Sequence, residues 1–171
     1  VQFLTSGEEA SMQLETGRFR YLFVLQAFTK IYAVPGIRLG YGISSDKALL
    51  ERMETVRQPW SVSTPAQAAG LSALKEDHRE EQTRQLVKSE RERMEKELEN
   101  LRIEYIPSEA NFLLFNSEIN WFEELKKRGI LIRDCANYRG LGNGWYRMAV
   151  RLPEENDRLL ECMKQVLNER S

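Results

Sequence analysis

Lys30 and Arg38 stand eight positions apart in FTKIYAVPGIRLGYG, the stretch from Phe28 to Gly42, with Pro35 and Gly36 between them. A lysine amine attacks an aldehyde only when deprotonated, and burial or a neighbouring cation favours that form. Lys30 follows an apolar run, and a turn at Pro35-Gly36 would return Arg38 to the same cleft. Arginine is forked and permanently charged, which suits it to a phosphate. Gly36 and Gly40 would let the backbone pass close to a bound group. The pair therefore reads as an amine for a carbonyl beside a guanidinium for an anion. A lysine near a strand end is also ordinary solvated surface, and spacing alone leaves that reading open.

The elements that must position this pair follow from the flanking text. FRYLFVLQAF, residues 19–28, predicts a buried parallel strand, and IRLGYGIS, residues 37–44, a second short strand after the turn. Ser45 and Asp46 supply cap chemistry for a helix through KALLERMETVRQ, which Pro59 stops. Ser63-Thr64-Pro65 opens a second helix, AQAAGLSALK, whose small residues suit close packing. From Glu76 to Leu101 the composition turns strongly charged. There Val87, Met94, Leu98 and Leu101 form a narrow apolar stripe on a long exposed helix, either a link between domains or a coiled-coil partner.

Strand and helix then alternate again: RIEYI, ANFLLFN, a helix NWFEELKKRG closed by Gly129, ILIRDC, a glycine-rich loop, WYRMAVR, and a final helix started by Pro153. The expected fold class is α/β. On WYRMAVR, strand alternation puts Tyr146, Met148 and Val150 on one face and Arg147, Ala149 and Arg151 on the other. GLGNG has no helix behind it at the spacing of a phosphate-binding loop and reads as a connection between strands.

The bulk numbers exclude several classes. With 25 basic and 26 acidic residues and a net charge of −1, the 171-residue chain offers no basic field for nucleic acid or an anionic membrane. No apolar run approaches the roughly 20 residues of a membrane helix. Cys135 and Cys162 lack metal-ligand spacing, and His78 is the single histidine, so no metal site is expected. Reduced thiols point to the cytoplasm. The chain opens on Val1 in what reads as the middle of a domain, which suggests a fragment of a longer polypeptide.

AFTKIYAVPGIRLGYGIS resembles the lysine segment of the fold type I pyridoxal-phosphate enzymes, the class I/II aminotransferase superfamily. The resemblance implies that Lys30 holds the cofactor covalently and that Arg38 binds its phosphate. Where the family usually has a serine three residues before the lysine, this chain has Ala27, with Thr29 nearby. RQPWSVSTPAQAAG, IPSEANFLLF and LIRDCANYRGLGNGWYRMAVR extend the resemblance to the branch of threonine-phosphate decarboxylases, which act in cobalamin side-chain synthesis, and histidinol-phosphate aminotransferases. It implies that Arg147 grips a substrate α-carboxylate and Arg133 a substrate phosphate, with Arg139 and Arg151 as surface residues. Asn111 matches a common family residue and receives no role.

On that resemblance the chain is the C-terminal part of the superfamily's large domain plus a small α/β C-terminal domain. Residues 1–75 would be a partial cofactor-binding domain, and 76–171 the linker helix and small domain. The implied substrate is a small phosphorylated amino-acid-like molecule, and the implied assembly a homodimer. A threonine-phosphate decarboxylase-like activity is the first choice the resemblance implies and a histidinol-phosphate-type aminotransferase the alternative, because the cofactor is the electron sink and the protein selects the bond that breaks. The family's aspartate at the pyridine nitrogen, and its asparagine and tyrosine near the ring oxygen, lie upstream of the lysine and are not found here. The fragment alone is expected to be inactive, and a structural or dimerisation module stands as the reading of another class.

Overall fold

Val24–Ala27 (β1) and Gly40–Ile43 (β2) pair antiparallel in the computed structural model, Val24 opposite Ile43 and Ala27 opposite Gly40. The structure describes residues 2–4, 11–76 and 78–170. The expectation of a buried parallel strand over 19–28 is corrected here. Only four residues are extended, their partner is antiparallel, and alternate side chains face out, Leu25 at 77% exposure. The reason is the short connection to β2, which turns straight back; a parallel pair needs a longer crossover. Residues before β1 turn as well, the Leu22 amide donating to the Phe19 carbonyl. β2 starts later than expected because Pro35–Ile37 forms a single 3-10 turn and Arg38 then takes a left-handed conformation.

Two helices follow as their caps dictate. Asp46 accepts from the Leu49 amide at the start of Lys47–Val56 (α1), and Ser63 accepts from the Ala66 amide at the start of Thr64–Ala73 (α2). Each cap satisfies an amide that the first turn leaves without an intrahelical partner. Gly70 of α2 lies against Leu39, where a methyl group would collide with the leucine side chain. The helix Arg79–Asn100 (α3) buries Val87, Met94 and Leu98, the expected stripe, while Leu101 lies just past its end.

The chain resolves into two compact units, Val1–Arg84 and Gln85–Ser171, the division falling within α3. The second unit holds a four-stranded antiparallel sheet. Its strands Glu104–Ile106 (β3), Phe112–Asn116 (β4), Arg133–Asp134 (β5) and Trp145–Ala149 (β6) are ordered β3-β4-β6-β5. ILIRDC, expected as a full strand, contributes only two residues to the ladder. Leu113, Phe115, Tyr146 and Met148 point to the buried side, as alternation requires.

That side is closed by α3 and by Trp121–Lys127 (α4) and Pro153–Asn168 (α5). Trp121, Leu125, Met94, Leu98 and Met163 are fully buried with Phe115 and Leu113. Burial of each such side chain contributes about 1.5–3 kcal/mol. Gly129 ends α4 at φ +73°, a left-handed stop that glycine adopts without strain. At the centre Asn156 is 1% exposed and fully bonded. Its amide donates to Glu90 and to the Arg151 carbonyl and accepts from the Arg151 amide. This ties the end of β6 to both α3 and α5.

Candidate functional site

Lys30 lies just beyond β1, on the turn that begins the connection to β2. The turn closes with the Ala33 amide donating to the Lys30 carbonyl at 3.1 Å, and Ala33 is left-handed at φ 55°. On either side of the lysine the chain is anchored. Phe28 and Ile31 are buried, and the Phe28 and Tyr32 rings stack with centroids 5.0 Å apart. The Tyr32 hydroxyl donates to Glu80 at 2.6 Å, and Arg84 donates to the other oxygen of Glu80 at 2.6 Å. Burial, then the bond to Glu80, pushes the Tyr32 phenol from 10.0 up to about 12. Lys30 itself is exposed, not buried as its place after an apolar run suggested.

Arg38 follows the 3-10 turn on the same connection, exposed, with φ 57°. One of its terminal nitrogens donates to the Pro35 carbonyl at 3.0 Å, which leaves the outer edge of the guanidinium for an anion. The two glycines expected to make room for a ligand have different tasks. Gly36 has open space beside its Cα. Gly40 lies against β1, where a Cβ would come within 2.7 Å of the Gln26 carbonyl, so its small size serves strand packing.

In the second unit Arg133 and Arg147 are cross-strand partners on β5 and β6. They share the sheet face opposite the buried core, with Phe112, Leu114 and Ala149 as neighbours in register. Like charges directly opposite one another destabilise a sheet. Each guanidinium rests on a ring: Arg147 over Phe112 at 5.0 Å and Arg133 over Tyr138 at 5.6 Å. Arg133 also reaches Asn137 at 3.5 Å. Among the described residues neither arginine has a carboxylate within ion-pair distance.

Cys135, two residues on from Arg133, is fully buried, and that burial pushes its thiol pKa up, partly offset by the charges of Arg147 and Arg133. Of the arginines read as surface, Arg151 pairs with Glu155 at 2.7 Å and Arg139 is exposed. Asn111 accepts from the Val150 amide through its carbonyl, which joins β4 to β6 beyond the last ladder pair. Sequence reasoning missed Phe112, Tyr138, Tyr32 and Glu80. The aromatic residues read as ordinary strand or loop residues, and no local spacing links Tyr32 to a glutamate 48 positions away. Among the described residues no group of three or more His, Cys, Asp or Glu is placed to hold a metal ion.

Residues 4–162 match the profile of the family Aminotransferase class I and II. The threonine-phosphate decarboxylase of Salmonella typhimurium is 39% identical over 151 residues, 86% of this chain and 42% of that protein. The histidinol-phosphate aminotransferase of Symbiobacterium thermophilum is 38% identical over 149 residues, 85% of this chain and 40% of that protein. Among solved structures, the histidinol-phosphate aminotransferase of Clostridium acetobutylicum superposes with a TM-score of 0.92 at 30% identity, covering 98% of this chain and 52% of that one. The chain belongs to the class I and II aminotransferase family, whose members are pyridoxal-phosphate enzymes. It spans about half the length, or less, of the relatives it matches.

Proposed function

We propose that the polypeptide carrying this chain is a pyridoxal-phosphate enzyme acting on a small amino acid that bears both a carboxylate and a phosphate, in the manner of a threonine-phosphate decarboxylase. The supporting observation is the in-register pair Arg133 and Arg147, two guanidiniums side by side without a carboxylate between them among the described residues. Such a pair is relieved by two anionic groups on one small molecule. Histidinol phosphate carries a phosphate but no carboxylate, which makes the aminotransferase the second reading.

The donor set of the first unit fits the cofactor: an exposed primary amine for its aldehyde, and a guanidinium with a free edge for its phosphate. Bound there, the cofactor would supply an electron sink for bonds at the substrate Cα. Lys30 would hold the aldehyde carbon and carry protons to and from Cα through its Nζ. Arg38 would hold the phosphate by its outer guanidinium edge. Arg147 would fork onto the substrate carboxylate and Arg133 onto the substrate phosphate. The direction in which Arg147 holds the carboxylate selects between loss of carbon dioxide and proton transfer.

Residues 1–75 are assigned to the cofactor-binding domain, and 76–171 to a linker helix and small domain. The reading extends to a soluble cytoplasmic homodimer in cobalamin side-chain synthesis. Among the described residues no helix is long and apolar enough to cross a membrane. Because no carboxylate for the ring nitrogen is assigned within these residues, the 171-residue chain alone is proposed to lack turnover.

Pyridoxal phosphate followed by borohydride should label Lys30, and Lys30→Ala should abolish that label. Labelling that ignores Lys30→Ala would leave only the structural-module reading. With O-phosphothreonine, the full-length enzyme should release carbon dioxide and a phosphorylated amine; a keto acid would select the aminotransferase.

A further inference from the structure

Lys30 is exposed on a turn, and an exposed lysine on a loose turn samples many directions. Here the turn is not loose. Two positions before the lysine, Phe28 is buried, and two positions after it Tyr32 stacks on the Phe28 ring, so the backbone carrying Lys30 is clamped from both sides. The clamp is held from outside. Tyr32 donates to Glu80 in the first turn of α3, and Arg84, one turn further on, donates to the second oxygen of the same carboxylate. Arg84 is itself fixed by donating through Nε to the Gln2 carbonyl at 2.9 Å.

We propose that Tyr32, Glu80 and Arg84 are positioning residues, a chain of hydrogen bonds from α3 that holds the turn so that the Lys30 amine has one direction of approach. The inference rests on the reading of Lys30 as the cofactor-bearing lysine. A lysine that must meet a carbonyl at a defined angle needs such restraint, because a misplacement of about 1 Å costs on the order of 100-fold in rate. Arg84 pairs with Glu80 and, at 3.6 Å, with Glu81, so both carboxylates of the first turn of α3 hold the guanidinium that completes the network. Tyr32 anchors by two separate means, ring and hydroxyl. The hydroxyl can therefore be removed while the ring stays stacked.

The test uses the full-length polypeptide and the variants Tyr32→Phe and Glu80→Gln, both close in shape to the native residues. The first readout is hydrogen exchange at the Ala33 amide, which closes the Lys30 turn, compared with amides of the β1–β2 ladder. Loss of a bond to a charged acceptor should reduce Ala33 protection about ten-fold and leave the ladder unchanged. The second readout is borohydride-trapped labelling of cofactor-free protein by sub-stoichiometric pyridoxal phosphate, scored as Lys30 relative to the exposed Lys96. That ratio should fall several-fold in both variants, with no further loss when they are combined. Unchanged Ala33 protection overturns the proposal. So does reduced protection with an unchanged labelling ratio, which would make the network structural only. If wild-type Lys30 is not labelled in preference to Lys96, the functional reading fails, and the proposal with it, even where Ala33 protection still falls in the variants.

Discussion

Arg133 and Arg147 face each other directly across β5 and β6, each guanidinium resting on an aromatic ring, Tyr138 and Phe112 respectively. Two cations in register are an unfavourable cross-strand pair, opposed here by cation–π contacts of about 0.5–1 kcal/mol each at exposed positions. Aromatic support of this kind fixes the guanidinium planes without neutralising them. The pair stays available to an anion.

Replacement of Arg147 by lysine keeps the charge and removes the fork. On the proposed function, this should raise KM of the full-length enzyme for O-phosphothreonine roughly ten-fold or more, the scale of a lost charge-assisted hydrogen bond. Steady-state kinetics check it, and an unchanged KM would remove Arg147 from substrate binding.

Phe112 is 37% exposed, so Phe112→Leu should leave the melting temperature nearly unchanged. KM should rise about two- to five-fold, the size of an exposed cation–π contact, and Phe112→Tyr should restore it. Equal KM values in the leucine and tyrosine variants would show that the ring does not support Arg147.

Asn156 joins Glu90 to both backbone groups of Arg151 within the core of the second unit. Asn156→Ala removes the partner of the Arg151 amide and carbonyl and one of the partners of Glu90, which keeps Arg93, a loss of about 1–3 kcal/mol in unfolding free energy. Denaturant melts measure it directly. A loss within a few tenths of a kcal/mol would mean that water replaces the amide.

Tyr32 sets an alkaline limit on stability. Its folded pKa, raised to about 12 by burial and by Glu80, exceeds the ordinary 10.0 of the unfolded chain. The neutral phenol is thus favoured in the folded state. This stabilisation is fully present below pH 10, and is lost as pH rises from there through about 12. Unfolding measured between those limits should show the loss, and Tyr32→Phe should flatten that limb of the profile.

Glu90 acts in the opposite direction. Its hydrogen bond with Arg93, assisted by Asn156, holds its carboxyl below the usual 4.5. The resulting stability is present above that ordinary value and is lost as pH falls through the lower folded value. Glu90→Gln should weaken the acid dependence of the melting temperature, and an identical acid limb in wild type and variant would contradict this.

Much of this protein is local and was legible in its residues. Asp46, Ser63 and Asn120 cap helices where the text placed starts, because an oxygen three residues before an orphan amide needs no distant partner. The alternation of WYRMAVR put Tyr146, Met148 and Val150 together on one face, which the fold buries, because a strand's period of two is intrinsic to its backbone. The lysine segment was readable for the same reason: amine, turn and guanidinium follow each other within one short stretch.

What depended on partners far along the chain was decided only by folding. Residues 19–28 have the apolar character of a buried strand, but four of them pair, antiparallel and half outward, because the connection to β2 is short. Arg133 meets Arg147 only because β5 docks beside β6 in that register, and a shift of one residue would turn one guanidinium to the other face. Tyr32 and Glu80 lie 48 residues apart and Glu90 and Asn156 66, and no periodicity links such pairs. Local patterns set the conformations that each segment prefers. Long-range packing chooses which side chains meet, since that choice is made by the whole set of contacts at once.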